Sequence, residues 1–169
     1  MNDKIDDKKR ALSKLNMRNP VHFLALGFGS GLLSPAPGTW GTLAGWLLGI
    51  GLLQFVSPFF LLLLAVPGFV LGIYLCEKTA HDMGVHDHGA IVWDEIIAIW
   101  LVLAFVPQQN WLWYCLAFML FRFFDIVKPY PIKYFDKNVE NGLGIMLDDL
   151  LAAVYTALCL LLLFTLGRL

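Results

Sequence analysis

At 169 residues, 59% hydrophobic and only 15% charged, with a mean hydropathy of +0.69, the chain is too apolar for a soluble domain of its size and reads as one integral membrane unit. Its 12 Lys and Arg against 13 Asp and Glu leave a net charge of −1, which gives no electrostatic case for nucleic acid. Cys76, Cys115 and Cys159 stand singly in apolar runs without CxxC spacing, which argues against a disulfide framework or a cysteine metal site and for inert buried thiols.

Residues 1–19 mix Asp3, Asp6 and Asp7 with lysines and hold no clean apolar core, so they predict a cytoplasmic or interfacial tail rather than a cleavable signal. Residues 20–169 then form a single membrane-embedded domain. The uncharged run 40–56 would reach about 25 Å at about 1.5 Å per residue before Ser57-Pro58 breaks it. A second run, 59–76, contains Pro67-Gly68, a kink that neighbouring helices can cover, and ends in the polar stretch 77–88. The third, 91–106, carries Asp94 and Glu95 near its start, and the turn 107–110 leads into the fourth, 111–124, as a short helical hairpin. The last, 145–166, opens with Gly142-Leu-Gly144 and places Asp148 and Asp149 in its first turns. The fold class expected is all-α: a polytopic membrane helical bundle of about five apolar helices, including the short hairpin, behind an N-terminal interfacial segment.

Counting crossings puts every acidic residue on one face and leaves only Arg168, among the basic residues, on the other. That asymmetry is the positive-inside pattern, so the motif-bearing face is expected to be cytoplasmic, with lipid as the natural partner.

Gly41, Gly45 and Gly49 are spaced by four, as are Gly68 and Gly72, which sets small residues on stripes where another helix can approach closely. In the last helix Asp149, Ala152, Ala153 and Thr156 share one face, so Asp149 is expected to point into the bundle.

Asp94, Glu95, Asp125, Asp148 and Asp149 all fall within a turn or two of the cytoplasmic helix ends, where ionised groups are costly unless paired or bound to a cation. They are the candidate catalytic residues. Oxygen ligands of this kind suit Mg²⁺, which takes a few carboxylates, keeps waters and engages a substrate phosphate; Glu95, Asp149, Asp94 and Asp148 are the candidate ligands. The plainer alternative is that the acids pair with Arg122, Lys128, Lys133 or Lys137. His86, Asp87 and His88 offer nitrogen ligands, and H-x-H admits zinc, but a hydrogen-bonded loop or a role behind the metal ligands suits the spacing equally well. The stretch 34–39 leads into a helix with Thr39 as candidate N-cap, so Thr39, Gly41 and Thr42 are candidates for receiving a phosphate. Arg122, three residues before Asp125, either grips a phosphate or pairs with that acid, and Lys128 is a second candidate phosphate contact.

The strings GTWGTLAG (38–45), DMGVHDHGAIVWDE (82–95), FRFFDIVKPYPI (121–132) and GLGIMLDDLLA (142–152) closely resemble phosphatidylglycerophosphatase A, in order along residues 27–153. The resemblance implies a bacterial inner-membrane enzyme that, with Mg²⁺, removes the terminal phosphate of phosphatidylglycerophosphate to give phosphatidylglycerol. It also implies that Asp94, Glu95, Asp125, Asp148 and Asp149 are the acidic motif residues, with Asp87 and His88 in the same motif string. The chain has no C-x₅-R, D-x-D or D-G-x-x-A-R, so no covalent nucleophile is evident. The competing readings are an ion or metabolite transporter, against which the one-sided acids argue, and a zinc hydrolase, which lacks an H-E-x-x-H helix.

Overall fold

The computed structural model describes residues 10–85 and 88–167; they are helical, with no strand among the described residues. Helix α1 spans Pro20–Ala25 and leads into a 3₁₀ segment, Gly27–Leu32. The longer helices are α2, Pro37–Leu53; α3, Pro58–Met83; α4, Trp93–Ala104; and α5, Trp111–Val127. A short α6, Ile132–Asn138, precedes α7, Gly142–Leu166.

All five apolar runs read from the sequence are helices, and the differences lie at their ends. Ser57 and Asn110 cap α3 and α5 by accepting from Phe60 N–H and Trp113 N–H, and Asn141 caps α7 through Gly144 N–H. Helix α3 runs on past the expected end at residue 76 to Met83, where Gly84 takes the left-handed conformation at φ 73° that closes many helices. It also passes through Pro67 without a break in the helix. The short α1, the 3₁₀ segment and α6 carry no apolar periodicity that would mark them in the sequence.

Helix α4 is the centre of the bundle. Ile96, Ile97, Ile99, Val102 and Leu103 are all at most 1% exposed, the pattern of a helix apolar on every side and surrounded by others. The glycine stripes are what let its neighbours close on it. A Cβ on Gly45 would lie 2.7 Å from the Ile96 Cα, one on Gly49 would meet Leu103 and Trp100, and one on Gly68 of α3 would meet Ile97. With no side chain between them, the indoles of α4 reach helix carbonyls directly: Trp100 Nε1 donates to Gly45 O at 2.8 Å and Trp93 Nε1 to Gly68 O at 3.0 Å.

Before α1, residues 10–13 are helical and Ala11 is buried, while Lys14 Nζ donates to Met83 O at 2.8 Å. His22 joins the same contact: its Nδ1 accepts from Asn16 N–H at 3.0 Å, and its Nε2 lies 3.1 Å from Asp82 Oδ2. By length and composition, α3 and α7 are the two candidates for crossing a membrane.

Candidate active site

Three helices deliver acids to one end of the bundle. Asp94 and Glu95 occupy the first turn of α4, where the helix dipole favours negative charge. Asp125 lies in the last turn of α5, and Asp148 and Asp149 lie about two turns into α7. Asp149 is 3% exposed and points inward beside the buried Ala152, Ala153 and Thr156, as the helical spacing requires. The negative charges that bear on it are those of Asp125, Asp94, Asp148 and Glu95. All five acids singled out in the sequence therefore converge.

Two cations are set into this ring. Arg122 Nη1 donates to Thr42 Oγ1 at 3.1 Å, Glu95 Oε1 at 3.2 Å and Asp125 Oδ2 at 2.5 Å, so one nitrogen ties α2, α4 and α5 together. Lys128 Nζ donates to Asp148 Oδ2 and Asp136 Oδ1, each at 2.5 Å. Burial works against the Lys128 charge, but Asp148 and Asp136 together outweigh it and hold its pKa above the usual lysine value. Lys128 ends α5 in the left-handed conformation, φ 44°, uncommon for a residue with a Cβ.

The α2 glycines have a second use here. Glu95 lies against the first turn of that helix, so a Cβ on Gly38 would collide with Glu95 Oε1, and one on Gly41 would come within 2.7 Å of Glu95 Oε2. Only glycine admits so close an approach. No local sequence signal marks Gly38 or Asp136 as part of the site.

Among the candidate phosphate contacts, Thr42 is fully buried; its hydroxyl donates to Gly38 O at 2.9 Å and accepts from Arg122. The expectation that Thr39 caps α2 is corrected: the helix begins at Pro37, and Ala36 is the cap, with φ 58°. Proline suits the first helical position because its fixed φ fits and its missing N–H would have had no partner there, which moves the helix start ahead of Thr39. His88 is half-buried and its Nδ1 accepts from Ala90 N–H at 3.2 Å. His86 and Asp87 lie outside the described residues.

Among the described residues, no group of three or more His, Cys, Asp or Glu side chains stands in place to hold a metal ion. The two cations give the physical reason, since Arg122 draws Glu95 and Asp125 to itself and Lys128 draws Asp148. Asp149 Oδ2 is nonetheless a buried oxygen with no hydrogen-bond partner. An unpartnered carboxylate oxygen among other carboxylates is the environment a hard divalent cation would relieve.

The family model for phosphatidylglycerophosphatase A matches residues 23–164. The chain is 56% identical over 147 residues to "Phosphatidylglycerophosphatase A" of Haemophilus influenzae, covering 87% of this chain and 90% of that one. It is 48% identical over 153 residues to the protein of the same name from Escherichia coli, covering 89% and 87%. A "Putative phosphatidylinositol-3-phosphatase" of Bacteroides thetaiotaomicron is 39% identical over 140 residues, covering 79% and 86%. No solved structure gives a significant match. With the motif strings, the converging acids and these relatives in agreement, the chain belongs to the phosphatidylglycerophosphatase A family.

Proposed function

We propose that the protein hydrolyses the terminal phosphate monoester of phosphatidylglycerophosphate, releasing inorganic phosphate and leaving phosphatidylglycerol, as a step of phospholipid biosynthesis. The observation that carries this reading is the convergence of five carboxylates from three helices, with Asp149 buried among the other four, in a chain about half identical to proteins named for that activity. Mg²⁺ is the proposed cofactor. Glu95 and Asp149, with Asp94 or Asp148, would hold it, and when bound it would lower the pKa of a water and neutralise phosphate charge.

The chain's own residues supply the rest. Lys128 and Arg122 bring positive charge to a site where an anionic phosphate must approach carboxylates. One of the acids takes the proton of the attacking water as the new P–O bond forms, the bond from phosphorus to the glycerol oxygen breaks, and the protonated acid returns that proton to the leaving oxygen, which departs as the lipid alcohol. His88, six residues before Asp94, accepts from Ala90 N–H and is assigned to steadying the turn that leads into α4.

The protein is further proposed to span a bacterial inner membrane several times with this site at the cytoplasmic face. Two long apolar helices support membrane residence, as do outward-facing Phe59, Val66, Val70, Leu158 and Leu162, each more than half exposed. At about 1.5 Å per residue, α2 and α5 (17 residues each) reach about 25 Å and α4 (12 residues) only about 18 Å. The short α4 is therefore better suited to the interior of the bundle than to lipid.

The test is phosphate release from phosphatidylglycerophosphate by the detergent-solubilised protein, with Mg²⁺ and after chelation. Release that depends on Mg²⁺ supports the reading. No release with Mg²⁺ present, or unchanged release after chelation, removes the activity or the cofactor respectively.

A further inference from the structure

We propose that Asp136 is a positioning residue for Lys128, holding the ammonium at the solvent-facing edge of the acid cluster with one N–H left for a phosphate oxygen of the substrate. The inference rests on the phosphatase reading above and deepens it by assigning phosphate recognition to one of the two cations.

Arg122 and Lys128 differ in how they are held. Arg122 is 14% exposed, and a single terminal nitrogen serves three acceptors on three helices, the arrangement of a strut. Lys128 is 26% exposed and bridges a buried acid, Asp148 at 11%, to a more open one, Asp136 at 33%. An ammonium has three donors, and these two carboxylates use two of them. The third is the one available to an incoming oxygen acceptor.

Two features of the backbone make the bridge possible. Lys128 takes the left-handed conformation at the end of α5, a cost that persists only where the surroundings impose it. The turn that follows brings α6 back over α7, anchored by Ile132, which is fully buried in the core. Asp136 lies eight residues after Lys128, outside any helical i, i+4 pairing, so this turn alone brings the two together. A half-buried acid with no task would turn out to solvent. Here, without Asp136, the ammonium would have Asp148 as its remaining carboxylate and would close onto it, toward the more buried side of the cluster.

The experiment compares wild type, Asp136→Asn and Asp136→Glu in detergent with Mg²⁺ by two readouts. In the hydrolysis assay, Asp136→Asn is expected to raise KM about tenfold while kcat changes less than about threefold, and Asp136→Glu to restore most of the affinity. In calorimetric titration with inorganic phosphate, which needs no turnover, Asp136→Asn is expected to weaken binding by a similar factor. Equal phosphate affinity in wild type and Asp136→Asn overturns the proposal, whether or not the lipid is hydrolysed. So does a fall in kcat and thermal stability at unchanged KM, the mark of a structural role. Failure of wild type to hydrolyse the lipid while the phosphate titration separates the variants would strike the activity and leave the positioning role standing.

Discussion

The contact between α2 and α4 is one glycine ladder with two different ends. At its deep end, Gly45 and Gly49 admit Ile96, Ile99 and Trp100, and the result is close apolar packing against the buried face of α4. At its acidic end, Gly38 and Gly41 admit the Glu95 carboxylate instead, and the result is a crowded charge cluster. The same device, absence of a side chain, stabilises the first region and makes room for the destabilising groups of the second. Sites of function are where a fold tolerates such a local conflict, so variants at the two ends should separate activity from stability.

Along this ladder, the largest separation is expected from Glu95→Gln, which keeps shape and removes charge. It should lower kcat/KM about a thousandfold or more while leaving the thermal midpoint within a few degrees, as read by phosphate release beside a melting curve. Chelation of divalent cations should reduce turnover about a hundredfold, with recovery on Mg²⁺ and not on Zn²⁺; recovery on Zn²⁺ alone would move the reading to the zinc hydrolase. Gly38→Ala should cost about tenfold or more in kcat, because displacement of a site group by about 1 Å costs on that order. At the other end of the ladder, Gly45→Leu should destabilise by about 1–3 kcal/mol through overpacking while the folded fraction keeps its turnover. Comparable losses of turnover per folded molecule in both glycine variants would erase the distinction between the two ends. Cys115→Ala, remote from the acids, should change activity less than about twofold.

Much of the apolar framework was legible because uncharged runs, glycine spacing and the inward face of α7 are local periodic signals. Asp149 is the clearest case, since its burial follows from residues three, four and seven positions on. The helix ends were less legible. The polar residues Glu77 to Asp82 look like a loop but continue α3, because its ending is set by Gly84 rather than by polarity. Thr39 looked like a cap because it is a good capping type, whereas Pro37 had already opened the helix. Asp136 carried no local signal at all, since its partner Lys128 lies across a turn that contains Pro129 and Pro131. Nor did spacing reveal that Arg122 would reach back to Thr42, 80 residues earlier, and Glu95, 27 earlier.

On the proposed function, Asp149, buried among four other acids, keeps an unfavourable place because catalysis needs it there. The decisive variant is Asp149→Asn, with phosphate release from phosphatidylglycerophosphate and the thermal midpoint measured on the same preparation. Removing one charge from the cluster should abolish release while leaving the midpoint equal or higher. Near wild-type turnover in that variant, or a loss of turnover that only tracks unfolding, would contradict the account.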